Sequence, residues 1–227
     1  MSFHRGPKIV TRALAMYFDA NDTNCYVSGS TSLINIANTS KYRGTLNGGV
    51  SHLSGSFFWF DGGNDNIAVP MTNNTDVNLS GSTTIFVAQL PVVSGGQRAI
   101  LSYRSVGGGA LYIGKNSGMI FSYYSSLNGP GLVTGSISAN TTFMCAVVCD
   151  AAIGEVRHYI NGVHGGKNTG RTGFSAAYGT GNFYLGFDGG TNEYFLGNIY
   201  SFMHYSTVLT DVEIRQNFNV MRGRFGI

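Results

Sequence analysis

Residues 142–163 read TFMCAVVCDAAIGEVRHYINGV, and the fold is legible in that stretch. Phe143, Cys145, Val147 and Cys149 recur at period two on one strand face. Met144, Ala146 and Val148 occupy the other, so neither face turns polar before Asp150. Such a strand is expected to be central in its sheet. Ala151-Ala152-Ile153-Gly154 then reverses the chain with a glycine available for positive φ, and Val156 to Ile160 runs back. Asn161-Gly162 follows between apolar residues, and this dipeptide tolerates the positive φ that a type I′ hairpin turn needs at both positions. The stretch therefore encodes a β-meander of three antiparallel segments.

Working outward, strands continue in both directions. Ala13 to Asp19 alternates Leu14, Met16 and Phe18 against Ala15, Tyr17 and Asp19 as a first strand, and residues 21–32 form a turn-rich excursion. Thr45 to Gly49 leads through a loop to Ser56 to Asp61. In Ser56 to Asp61, Phe57 and Trp59 point one way and Phe58 and Phe60 the other, which predicts burial on both faces. The loop of residues 62–66 turns this strand into Ile67 to Val69, and Pro70 is expected to stop it. Thr83 to Leu90, Arg98 to Tyr103, Leu111 to Ile113 and Met119 to Tyr124 supply further strands, the last two flanking a hairpin at residues 115–118. Asn182 to Asp188 and Gly197 to Tyr205 read as the last pair. Strand spacing of this kind fits a sandwich.

One helix is written into the chain, over residues 210–222. Thr210 is its N-cap, Glu213 completes a capping box, Leu209 and Ile214 form a hydrophobic staple, and Gly223 stands where a C′ residue belongs. Ile214, Phe218 and Met221 form the inward stripe, leaving Arg215, Asn219 and Arg222 outward.

The 227 residues show no composition shift that would mark a boundary, so residues 1–227 read as one all-β domain with a basic arm at 1–8 and a tail at 223–227. Charged residues make up 11% against a usual share of about 25%, so solubility rests on neutral polar groups and turns. The formal charge of +3 is mild and its cations are scattered, which argues against nucleic acid as a partner. Cys145 and Cys149 lie about 13 Å apart on one strand, too far for a disulfide, and with Cys25 they are expected as core thiols. No apolar run approaches a spanning helix, and Ile9 to Phe18 is broken by Arg12, so no leader and no membrane insertion are expected.

The carboxylates do not suggest hydrolysis. Glycoside hydrolysis needs two carboxyl groups across a cleft, and no strand carries a Glu-x-Asp or Glu-x-x-x-Glu arrangement, while Glu213 belongs to the helix cap. His4, His52, His158, His164 and His204 lack metal spacing. Two oxygen-rich turns remain, Asp61, Asn64 and Asp65 in one and Asp188, Asn192 and Glu193 in the other. Their ligand types would suit calcium, although Asp-Gly turns are hairpin chemistry first.

Residues 13–24 (ALAMYFDANDTN), 58–69 (FWFDGGNDNIAV), 143–163 and 197–218 (GNIYSFMHYSTVLTDVEIRQNF) together resemble the laminin-G-like, pentraxin-like branch of the concanavalin A-like jelly rolls. The opening FDANDTN and the ending NFNVMRGRFGI resemble the version of this fold carried in structural proteins of tailed phages of cyanobacteria. The resemblance implies two curved antiparallel sheets, with glycan bound on the concave face or rim loops, often beside calcium. It also implies a non-enzymatic virion surface protein, either capsid decoration or tail or fibre accessory, made in the host cytoplasm. The alternative is a free carbohydrate-binding module or lectin. A bound glycan would stack on Tyr123, Tyr124, Tyr184 or Tyr194, with Asn192 taking hydroxyls. The expected partners are other virion proteins, a host cell-surface glycan and further copies of the chain. Since the family fold brings first and last strands together, Phe3, Arg5, Arg222, Arg224, Phe225 and Ile227 are the expected assembly anchors, apolar residues within a basic rim.

Overall fold

A computed structural model describes residues 8–53, 57–71, 80–92, 96–105, 108–116, 118–124, 133–170, 181–190 and 192–227. In chain order the strands are β1 (Leu14–Asp19), β2 (Ser32–Leu33), β3 (Gly44–Asn47), β4 (Ser51–Leu53), β5 (Phe57–Asp61), β6 (Asn66–Met71), β7 (Gly81–Gln89) and β8 (Arg98–Ser105). They continue as β9 (Gly108–Asn116), β10 (Met119–Tyr124), β11 (Val133–Ser136), β12 (Phe143–Asp150), β13 (Glu155–Ile160), β14 (Val163–Asn168), β15 (Gly181–Leu185) and β16 (Leu196–Tyr205), and α1 (Asp211–Phe225) follows.

The strands form two antiparallel eight-stranded sheets. Sheet A runs β14-β13-β12-β7-β16-β5-β4, and sheet B runs β11-β10-β9-β8-β15-β6-β3-β2. The ten-residue β16 holds β5 along its first half and β1 along its second, so the first and last strands lie side by side, as expected. The chain is an all-β two-sheet jelly-roll sandwich with one C-terminal helix.

The decisive stretch folds as β12, β13 and β14. Asn161 and Gly162 take φ of 49° and 73°, and the Asn161 side chain accepts the Met144 amide at 2.8 Å, tying the turn to the strand before it. The two apolar faces of β12 meet two different partners. Phe143, Cys145 and Val147 join Phe18, Phe60, Phe86, Phe183 and Phe202 in the interior between the sheets. Met144, Ala146 and Val148 join Ile85, Val87, Met203, Tyr205, Ile214 and Met221 in a second apolar layer beneath α1. Cys25, Cys145 and Cys149 are buried free thiols.

Thr210 and Glu213 make the reciprocal capping-box bonds. At the other end the helix runs past Gly223 to Phe225 and closes on Gly226, whose φ is 68° and whose N–H donates to the Arg222 carbonyl at 3.0 Å. Gly223 costs the helix only about 1 kcal/mol. Contacts of the last turn, described below, outweigh that. Asn217 replaces Phe218 at the deepest point of the helix, because its carboxamide accepts the Val10 amide at 2.8 Å and donates to the Tyr205 hydroxyl at 3.1 Å. Gln216 and Glu213 hold Lys8 and Arg12, so residues 8–12 are strapped onto the helix.

Further expectations are corrected. The connection from Gly49 toward β5 is not simply a loop, since Ser51–Leu53 pairs with β5. Pro70 does not stop β6: its missing donor falls beyond the end of β3, so it interrupts no ladder. Residues 182–188 and 197–205 do not pair, because β15 lies in sheet B and β16 in sheet A, with the isolated bridge Phe187 to Tyr194 in the connection between them. β5 and β6 divide between the sheets in the same way. Phe58 and Phe60 are buried, but Phe57 and Trp59, on the outer face, are only half-buried.

Candidate functional site

The face of sheet B turned away from sheet A carries no helix among the described residues. Register places Thr45, Ala68, Tyr184, Ser102, Tyr112 and Tyr123 in one row across it. The side chains of Tyr123 and Tyr124 lie outside the described residues, and so do Phe3 and Arg5. Tyr184 is half-buried and accepts a hydrogen bond from the Asn182 carboxamide at 2.9 Å. Phe187 meets it edge-on at 5.2 Å between ring centroids, and Tyr194 stacks on Phe187 at 4.6 Å with 10° between the planes. Three half-exposed rings thus form one surface, with exposed Asn192 beside it.

Phe187 was not a sequence candidate. Strand alternation would send it inward with Phe183 and Leu185, but Gly186 intervenes at φ 81° and reverses the facing. A Cβ at Gly186 would stand 2.4 Å from the Phe60 ring, so only glycine fits. The Ser102 hydroxyl donates to the Phe187 carbonyl at 2.8 Å and fixes the displaced backbone on the sheet. Tyr112, also missed, donates to Glu193, which Gln97 holds as well at 3.2 Å. Burial, then the Glu193 bond, push the Tyr112 hydroxyl well above the usual phenol range.

Both oxygen-rich turns lie at the same end of the sandwich, where Arg98 joins them by donating to the carbonyls of Gly62 and Tyr194 at 3.2 Å each. Their carboxylates serve the turns. Asp61 accepts the Gly63 amide at 2.7 Å, and Asp188 accepts the amides of Gly190 and Glu193. Asp65 is buried and accepts the Asp61 amide at 2.9 Å; burial pushes its carboxyl up, and its Oδ1 has no partner. Asp61, Asn64, Asp65, Asp188 and Glu193 do not converge. Among the described residues no group of three or more His, Cys, Asp or Glu could hold a metal ion, and one orphaned oxygen is too little for a hard cation that takes six to eight. The residues present do not fit a calcium site.

A sequence model of the concanavalin A-like lectin/glucanases superfamily, of laminin G type, matches residues 61–215. The chain belongs to that superfamily. This concanavalin A-like sandwich is similar to a Trypanosoma rangeli sialidase solved with sialic acid, at TM-score 0.72 and 14% identity, over 92% of this chain and 33% of the sialidase. It is similar also to the receptor-binding domain of a botulinum neurotoxin C/D mosaic serotype, at TM-score 0.73 and 16% identity, over 93% of this chain and 52% of the other. The sandwich therefore spans about a third of the sialidase chain and half of the toxin domain, and at these identities the likeness is one of fold. No curated protein matches the chain.

The concanavalin A-like sandwich also accounts for its described C-terminal residues internally. Arg224 pairs with Asp19, Phe225 packs on Tyr200 at 5.7 Å, and Phe225 and Ile227 join the apolar layer under the helix. Arg222 lies over the Phe218 ring at 6.0 Å. Of the residues expected as assembly anchors, Arg224, Phe225 and Ile227 thus hold the last helical turn on its own domain, while Arg222 stays exposed on the helix. No described helix is long and apolar enough to cross a membrane.

Proposed function

We propose that this sandwich is a non-enzymatic glycan-binding protein carried on a phage particle, as capsid decoration or as a tail or fibre accessory. The observation that carries the reading is the ring surface of Tyr184, Phe187 and Tyr194 on the helix-free face of sheet B. Aromatic faces take the C–H face of a pyranose, and Asn182 and Asn192 beside them offer donors and acceptors for its hydroxyls. A receptor-binding domain among the fold neighbours is in keeping with recognition of a host cell-surface glycan.

The engagement of four carboxylates favours binding over hydrolysis. Asp19 is closed by Arg224, Glu155 faces Lys167 and Arg157, Asp211 accepts the Tyr159 hydroxyl, and Glu213 serves the cap. Most glycoside hydrolases need one carboxyl free to give a proton and a second free to act on the sugar.

The virion setting rests on the resemblance of the two chain ends to phage structural proteins, with other virion proteins and further copies of the chain as assembly partners. A glycan array, with and without calcium, tests the binding half. Stoichiometric recovery of the chain from purified particles supports the virion half, and its absence from particles favours a free-standing lectin.

A further inference from the structure

The chain has one tryptophan, and the fold keeps it out of the interior. Phe58 and Phe60 are buried between the sheets, so Trp59 between them faces outward, on the side of sheet A that carries α1. Trp59 stands opposite Ser51 of β4 on one side and Asn198 of β16 on the other, and Asn198 stands opposite Gln89 of β7. Ser51, Trp59, Asn198 and Gln89 thus form a row across four adjacent strands, at steps of roughly 5 Å. The apolar layer under α1 does not include them.

The polar members of the row are linked and left incomplete. Asn198 is 7% exposed; its Nδ2 donates to Gln89 Oε1 at 2.9 Å, and Gln89 Nε2 donates to the Asn140 carbonyl at 3.0 Å. Asn198 Oδ1 is buried with no partner. An unmade hydrogen bond of this kind costs about 1–3 kcal/mol, which a ligand donor would recover once the carboxamide turns to meet it. The row bears no formal charge.

We propose that this row is a saccharide-binding site for a neutral oligosaccharide, separate from the ring surface on sheet B and independent of it. The indole takes the C–H face of a pyranose, and the Gln89 and Asn198 carboxamides exchange hydrogen bonds with its hydroxyls. Neutrality of the row disfavours acidic sugars and phosphates. An apolar protein surface seated there would leave the Asn198 acceptor unsatisfied. The two sites lie on opposite faces of the sandwich, so one particle-borne chain could hold two separate glycan strands.

Because Trp59 is the single tryptophan, its fluorescence reports the surroundings of this row. The full chain is titrated with maltohexaose, cellohexaose, mannohexaose and xylohexaose, and with sialyllactose as the charged comparison. The expected result is a saturable shift in emission with at least one neutral oligosaccharide and none with sialyllactose. Gln89→Ala should weaken that binding about tenfold, the worth of one hydrogen bond. Tyr184→Ala with Tyr194→Ala should leave the response unchanged. The proposal is overturned if no neutral oligosaccharide moves the emission, or if the Tyr184/Tyr194 variant abolishes the response while Gln89→Ala keeps it. It is equally overturned if sedimentation shows that self-association without sugar produces the shift, which would assign the face to a second copy of the chain.

Discussion

Arg224 and Asp19 lie 205 positions apart in the sequence, and the guanidinium meets the carboxylate at 2.7 and 2.9 Å. Asp19 is fully buried, and it also accepts the Tyr17 hydroxyl at 2.8 Å and the Asn21 amide at 2.9 Å. Burial pushes its carboxyl up while Arg224 pulls it back, so the pair latches the last helical turn to the first strand.

Arg224→Ala should therefore destabilise the domain by about 3 kcal/mol, because it leaves a buried carboxylate without its cation. Urea denaturation at neutral pH measures this. A loss below about 1 kcal/mol would place the pair among weak surface ion pairs instead.

His158 and His204 face the interior, where Ser122 and Thr84 hydroxyls meet them at 2.8 and 3.0 Å, and burial lowers both to about 3. Their folded values lie below the ordinary value near 6.5, so the unfolded chain binds the protons first. Stability is then whole above about pH 6.5 and falls as pH drops toward 3, by up to roughly 4–5 kcal/mol per histidine. Asp19 and Asp65, raised by burial, titrate in the opposite sense and offset part of the loss. His204→Leu should gain stability relative to wild type as pH falls from 7 to 4.5, read from urea midpoints. A difference that does not change with pH would contradict neutral burial of this side chain.

Much of the sandwich was legible because its signals are local. TFMCAVVCD has two apolar faces, and each found a separate layer, one between the sheets and one under α1. Asn161-Gly162 needed only its own φ preferences, and the capping box only residues 210–213. What escaped depends on contacts distant in sequence. That residues 182–188 and 197–205 fall in opposite sheets is set by β6, β8, β5 and β7. The helix outran Gly223 because Asp19 and Tyr200 hold its last turn. In the candidate site, Tyr184 and Tyr194 were found from residue type, but Phe187 was hidden by the facing reversal at Gly186. A glycine at the end of an apolar strand was the available signal.

That reversal is itself testable. Gly186→Ala combines a left-handed backbone with a Cβ 2.4 Å from Phe60, and should cost roughly 3 kcal/mol. Thermal unfolding should show a correspondingly lower midpoint. An unchanged midpoint would mean that the turn and the Phe60 ring move apart freely.

The central claim is that the rings of Tyr184, Phe187 and Tyr194 bind glycan. Its most direct test is a glycan array run side by side with the wild-type chain and Phe187→Ala, a half-buried ring outside the main core whose loss should leave the fold intact. The account predicts defined hits for wild type that weaken tenfold or more in the variant, since stacked rings contribute about 1 kcal/mol beyond the area they bury. A blank array for wild type, or an array on which Phe187→Ala retains every hit at full strength, would contradict it.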